Sequence, residues 1–280
     1  MSGRGGQTPG ELRAVRAGDG ARLEYEVVGS GPPLVMLHGI LASRFAFSRQ
    51  RAELAEKFRL ILVSARGHDG SEGRLPQNYG VGGSDVDDLC TVLAAEGVER
   101  ISLLAHSSGG ATGFVFACRY PERVARAVLI EPSLLALLPP ADRDQIARIF
   151  EAVVAAAKNE GPEAAVRAFI AFAGGEAWRR LDAEQQAARV QAMAACAPLV
   201  GPHVRGLLDL VVTAADVAAL RPPTLFMYGA DSFPFEGSIA NRFRALRPDL
   251  RVMTVEKAGH NVHRERPDIV NAAARAFLAE

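Results

Sequence analysis

The 280-residue chain carries 32 basic and 32 acidic side chains, so it has no net charge to draw it to nucleic acid or an anionic membrane. Its 49% hydrophobic and 23% charged content is that of an ordinary globular protein, enough for one large domain or one domain with a sizeable insertion. Cys90, Cys118 and Cys196 are far apart and odd in number, which points to reduced thiols, and no cysteine–histidine cluster suggests a structural metal. No apolar run is long enough to cross a bilayer, and residues 1–10 lack an apolar signal core. The expectation is a soluble cytoplasmic protein without a nucleic-acid or membrane partner; the oligomeric state is open.

Residues 1–10 are polar and glycine-rich and read as a disordered lead-in. Two strands follow, at 12–16 and 23–28, joined by the hairpin signal Gly18-Asp19-Gly20. Residues 34–37 form a continuous apolar run, expected for a strand buried on both faces, and end at His38-Gly39-Ile40. A helix is predicted over 43–57 and a buried strand over 59–63, closed by the glycine-rich loop Arg66-Gly67-His68-Asp69-Gly70-Ser71. Helical spacing at 85–96 leads to a short strand at 101–104, a helix at 111–120, and a strand at 127–130 that ends at Glu131-Pro132. This alternation predicts an α/β fold, a mostly parallel sheet with helices on both faces.

The alternation stops over 133–220, which is rich in alanine and leucine and has helical periodicity. Breaks at Pro139-Pro140, Gly161-Pro162, Gly174-Gly175 and Gly201-Pro202 divide it into several helices. Such an insertion reads as a helical cap over the ligand end of the sheet, with core segments at 11–132 and 221–280. The α/β pattern resumes with strands at 224–228 and 251–255, helices near 239–246 and 268–278, and Ala258-Gly259-His260 between the last strand and the last helix.

Ala105-His106-Ser107-Ser108-Gly109 sits between the strand at 101–104 and the helix after it. Small-x-Ser-x-Gly in a strand–turn–helix setting is the pattern of a nucleophile elbow, which pushes a serine hydroxyl out at the top of a sheet. Small flanks are needed because the turn brings strand and helix backbones together. Ser107 fits as the nucleophile; choosing Ser108 would put His106 at a position that needs a small residue. A loop serine capping a helix is the alternative for these residues taken alone.

With His38-Gly39, the Arg66-Gly67-His68 loop, this elbow, and Gly259-His260 with Pro267 beyond, the chain resembles an α/β-hydrolase with a helical cap. The resemblance spans nearly the whole sequence. It implies an eight-stranded, mostly parallel sheet and a serine–acid–histidine triad in that order. It assigns the base to His260 and the oxyanion donors to the backbone N–H groups of Ile40 and Ser108. His263 is a nearby competitor, and His106 reads as structural. His38, His68 and His203 read as satisfied polar groups. The family commonly places its acid where this chain has Ser232. Two carboxylates are the candidates: Glu131, favoured, at a strand end where some haloalkane dehalogenases carry theirs, and Asp231, one residue early. Ser64 stands where relatives often have aspartate.

The resemblance implies a cofactor-independent, metal-free serine hydrolase acting on a small, largely apolar ester or lactone through an acyl-enzyme. The alternatives are carbon–carbon bond hydrolysis or perhydrolysis on the same residues, or a non-catalytic ligand-binding member of the fold. Phe150, Phe169, Phe172 and Trp178 in the cap suggest an apolar pocket, although aromatics at helical spacing also serve as core.

Overall fold

The computed structural model describes residues 10–76 and 79–280, with the side chains of residues 176 and 177 left aside. The lead-in expected over 1–10 lies, apart from Gly10, outside the described residues. Eight strands form one sheet: β1 (Glu11–Arg16), β2 (Arg22–Val28), β3 (Pro33–Leu37), β4 (Arg59–Val63), β5 (Ile101–His106), β6 (Val124–Ile130), β7 (Thr224–Gly229) and β8 (Arg251–Val255). Their spatial order is β1-β2-β4-β3-β5-β6-β7-β8. β1 and β2 run antiparallel to their neighbours, and β4 through β8 are mutually parallel with β3.

Parallel neighbours require crossovers, and helices supply them. The core helices are α1 (Ser48–Leu54), α2 (Ser84–Ala95) and α3 (Ser107–Arg119) before the insertion. The inserted helices are α4 (Pro140–Asn159), α5 (Pro162–Ala173), α6 (Gly175–Arg179), α7 (Ala183–Ala192), α8 (Val200–Asp209) and α9 (Ala214–Ala219). After β7 come α10 (Pro234–Leu246), α11 (Val262–Glu265) and α12 (Pro267–Leu278). The period-two alternation of the strands sorts the core into two layers. Leu34, Met36, Leu60, Leu62, Val128 and Ile130 pack with Phe47 and Leu54 near α1 and with Val270 and Phe277 of α12. Val35, Leu37, Ile61, Leu103 and Leu129 face the other way, onto Leu89 of α2, Phe114 of α3 and Phe243 of α10.

Chain order reverses around β3, which lies between β4 and β5. At such a switch point the loops after two adjacent strands diverge and leave a crevice at the carboxyl edge of the sheet. The ends of β3, β5 and β6 carry His38, Ser107 and Glu131, and His260 follows β8. The inserted helices lie between β6 and β7, as a cap.

Several expected boundaries shift. The helix expected at 43–57 is a short 3-10 turn, Arg44–Phe47, followed by α1. α3 begins at Ser107 itself, not after the glycines, so the strand passes into the helix without a loop. The expected break at Gly201-Pro202 does not occur, because Pro202 falls in the first turn of α8, where its missing N–H has no partner to lose. A break absent from the sequence reading, at Asp182, starts α7 with a reciprocal cap in which the Asp182 side chain accepts from the Gln185 N–H at 2.8 Å.

A buried polar cluster holds the loop after β4 against α2. Arg66 donates to both oxygens of Asp88, at 2.7 and 2.8 Å, and to Asp19 at 2.7 Å. Nearby, Tyr79 donates to Asp85 Oδ2 at 3.1 Å. Burial, reinforced by the charge of Asp88, pushes the Asp85 carboxyl up to about 8.

Gly109 marks the closest approach of α3 to β3. A Cβ there would lie 2.4 Å from the His38 carbonyl oxygen and 2.6 Å from that of Leu37. Gly109→Val is expected to lower stability by ~2 kcal/mol or more, because backbone cannot yield as a side chain does, and thermal unfolding measures it. For Asp85, the native state keeps a proton that the unfolded chain releases near pH 4, so this group's contribution to stability is lost as pH climbs toward about 8. Wild type is therefore expected to lose stability relative to Asp85→Asn between about pH 5 and pH 8; parallel melting curves over that range would contradict it.

Candidate active site

Ser107 is the first residue of α3 and has φ +55°. This left-handed conformation is costly for a residue with a Cβ and is held by the close packing of β5, α3 and β3. It turns the hydroxyl out of the sheet edge. His38-Gly39-Ile40 passes directly over it, since a Cβ on Gly39 would lie 2.9 Å from the Ser107 Cβ and 3.3 Å from its Oγ. The N–H groups of Ile40 and Ser108 make no hydrogen bond within the described residues. For Ser108 this follows from its place in the first turn of a helix, where N–H groups have no intrahelical acceptor.

The hydroxyl of Ser107 lies 3.1 Å from His260 Nε2, and His260 Nδ1 lies 2.5 Å from Glu131 Oε2. Nδ1 beside a carboxylate carries its proton, which leaves the Nε2 lone pair facing the serine. Glu131 is 0% exposed and has φ +45°, a second left-handed residue at a strand end. Its charge is satisfied by donors, the Gly229 N–H at 2.8 Å on Oε1 and the Ser232 hydroxyl at 2.7 Å on Oε2. The structure thus brings Ser107, His260 and Glu131 into one hydrogen-bonded array.

Asp231, the alternative acid, is not part of that array. Its N–H donates to the Ala258 carbonyl at 2.9 Å, which ties this turn to the loop after β8, and its side chain is exposed and makes no hydrogen bond to His260. Ser232, at the position where the family commonly has its acid, instead donates a hydrogen bond to the acid from β6.

Two further histidines and a glutamate pack around the array. His106 Nε2–H donates to the His260 carbonyl at 2.9 Å, and its ring packs 4.5 Å from that of His263. Burial, then the neighbouring His263, holds His106 well below the ordinary histidine range, so it braces the His260 loop as a neutral ring. His263 is fully buried against Phe47 and does not reach solvent. Glu236, in the first turn of α10, is 1% exposed and has a buried oxygen without a partner. Burial and the charge of Glu131 hold its carboxyl protonated, far above the usual carboxylate range. Glu131, Glu236 and His260 are the one acid–histidine cluster among the described residues compact enough to share an ion, within 4.8 Å of one another. The donors already pointing at Glu131 suit a lone anion better than a cation ligand.

Two cavities flank the array. A small one, about 50 Å³, lies beside Ile40 and Ser108 and runs to His68, Tyr79, Asp85 and His203. A larger groove of about 850 Å³ includes His260 and is walled by Phe172, Phe233, Phe235 and the cap residues Arg179 and Arg180. Phe172, Phe233 and Phe235 stack in sequence with nearly parallel rings, and Phe233 lies 5.2 Å from the His260 ring. Of the four cap aromatics expected to form a pocket, only Phe172 lines either cavity. Phe150, Phe169 and Trp178 are buried in the cap's own core. Phe233, Phe235 and Glu236 went unread in the sequence; Phe-Pro-Phe-Glu after a strand and turn was a helix-start signal, but its side-chain directions were not legible.

Residues 32–267 match the alpha/beta hydrolase fold family. The chain is 38% identical over 118 residues to a proposed non-heme haloperoxidase of Mycobacterium phage D29, a match that covers 40% of this chain and only 40% of that relative's length. It is 26% identical over 272 residues to the sn-1-specific diacylglycerol lipase of Mus musculus, covering 89% of this chain and 81% of the lipase. Among solved structures, a hydrolase from Pseudomonas aeruginosa PA01 superposes with a TM-score of 0.81 at 25% identity, over 99% of this chain and 100% of the other. With the matched segment running from the strand before His38 to the helix after His260, this chain belongs to the alpha/beta hydrolase fold family.

Proposed function

We propose that the chain is a serine hydrolase that cleaves a small ester or lactone through an acyl-enzyme, with Ser107 as nucleophile, His260 as base and Glu131 as the triad acid. The observation that carries this reading is the continuous hydrogen-bonded path from Ser107 Oγ through both nitrogens of His260 to Glu131. A serine hydroxyl is a weak nucleophile until a neighbouring imidazole takes its proton. As Oγ attacks the ester carbonyl, its proton passes to Nε2, and the imidazolium is stabilised by buried Glu131. The carbonyl oxygen becomes an oxyanion, which accepts from the N–H groups of Ile40 and Ser108 in this reading. His260 then gives the proton to the leaving alkoxide, water repeats the sequence on the acyl-enzyme, and the acid product departs. The likeness to a diacylglycerol lipase over most of both chains supports an ester as the bond cleaved.

The role proposed for Ser232 follows from the same geometry. Its hydroxyl holds Glu131 Oε2, the oxygen that also faces His260, so it orients the acid without touching substrate.

Wild-type protein is expected to react with a fluorophosphonate probe and Ser107→Ala is not; a folded wild type that stays unlabelled would defeat the hydrolase reading. On any ester turned over, Glu131→Gln is expected to lower kcat by roughly 10⁴-fold, the loss typical when a triad histidine is left in the wrong tautomer, and Asp231→Asn to keep most of the activity. Near-normal turnover by Glu131→Gln would reject the assignment of the acid. Ser232→Ala is expected to fall between these, with kcat down by about tenfold and KM little changed, since one hydrogen bond to a charged group is lost away from substrate.

A further inference from the structure

The small cavity beside Ile40 and Ser108 contains polar groups that the hydrolytic steps do not use. His203, on α8 of the cap, is 4% exposed and lines this cavity, and its side chain makes no hydrogen bond among the described residues. Its ring stacks on His68 at 5.7 Å between centroids, nearly parallel, and lies 5.3 Å from Tyr79. His68 Nδ1–H donates to the Arg66 carbonyl at 2.9 Å, so Nε2 keeps its lone pair, and that buried atom has no partner. Asp85 accepts from Tyr79 on Oδ2, and its other oxygen has no partner among the described residues. Buried polar atoms are nearly always satisfied in native proteins, so the unpartnered His68 Nε2, with the unused polar atoms of His203 and half-buried Asp85 around the same cavity, points to a polar occupant.

Reaction geometry says which part of a substrate that occupant is. The inference rests on the hydrolase reading above. An ester carbon under attack by Ser107 carries three substituents. The oxyanion turns to Ile40 and Ser108, and the leaving oxygen turns to His260, which must protonate it. The leaving group therefore occupies the large groove that includes His260, and the acyl chain takes the small cavity beside the oxyanion donors.

We propose that the small cavity is the acyl pocket and that it takes a short acyl chain bearing a hydroxyl, which hydrogen-bonds the His203 ring with His68 and Asp85 beside it. A hydroxyl both donates and accepts, which matches a neutral imidazole and a lone-pair nitrogen side by side. Charge selects against an anion here. Burial holds His203 down to about 3, so it stays neutral and offers no cation. His38 is likewise neutral, with its Nε2 accepting the Ala65 N–H at 3.0 Å. The guanidinium of Arg66 is taken by Asp88 and Asp19, and Asp88 itself lines the cavity. A carboxylate on the acyl chain would be buried with no free positive charge to pair with. The 50 Å³ volume restricts the chain to a short one.

The test compares kcat/KM of the wild-type protein on p-nitrophenyl esters of butyrate, β-hydroxybutyrate, pentanoate and succinate as its half-ester. The hydroxylated ester is expected to exceed butyrate by about five- to tenfold, the worth of one buried hydrogen bond, and the half-ester of succinate to fall about tenfold or more below pentanoate, its match in size. In His203→Leu the ratio of hydroxylated to plain ester is expected to fall to about one, with fluorophosphonate labelling of Ser107 reporting that the variant is folded and its nucleophile competent. Turnover of all four esters with no hydroxyl preference in wild type would overturn the proposal, leaving a cavity that holds only water, and would leave the hydrolase reading standing. Absence of both turnover and labelling would remove the hydrolase reading and this inference with it.

Discussion

The hydrogen bond between buried Glu131 and His260 is the contact on which the rest of the site depends. A fully buried carboxylate is costly unless every lone pair facing the protein meets a donor. Here the donors come from the end of β7, through the Gly229 N–H, from the turn after it, through Ser232, and from the imidazole that follows β8. One charge therefore fixes the relative placement of three strand ends. The imidazole, held at Nδ1 by that charge and at its backbone carbonyl by His106, has one nitrogen left, and it faces Ser107.

Backbone strain accompanies this arrangement. Ser107 and Glu131 both adopt left-handed φ at the carboxyl ends of neighbouring strands. Ser107 stands where α3 approaches β3 closely at Gly109, and the Glu131 N–H donates to the Met227 carbonyl of β7. Residues with side chains take such conformations where the surroundings over-determine them, and here the result aims two functional groups at one imidazole.

The cap and the core divide the space above the array unequally. The groove on the His260 side is wide and walled by stacked phenylalanines from α5 and the start of α10. The cavity on the other side is narrow and ends in polar groups from α8 and from the loop before α2. None of the described helices is long and apolar enough to cross a membrane.

Order and type of the elements were legible in the amino-acid sequence, because period-two and 3.6-residue patterns are local and survive without neighbours. So were the residues that stand on sharp turns, Ser107 and His260, since small flanking residues record a close backbone approach. The carboxylate proposed as the acid was only half legible. Glu131 and Asp231 both follow apolar strands in similar contexts, and what separates them is whether a carboxylate is buried among donors from three other segments, a property no local window contains. The same holds for the three histidines of the small cavity, which lie 30 to 165 residues apart in the chain and meet only because β3, the loop after β4 and cap helix α8 fold onto one crevice. Sequence determined which chemistry the chain could carry; the packing of distant strand ends decided which groups face one another, because hydrogen bonds act over ångströms in space and not along the chain.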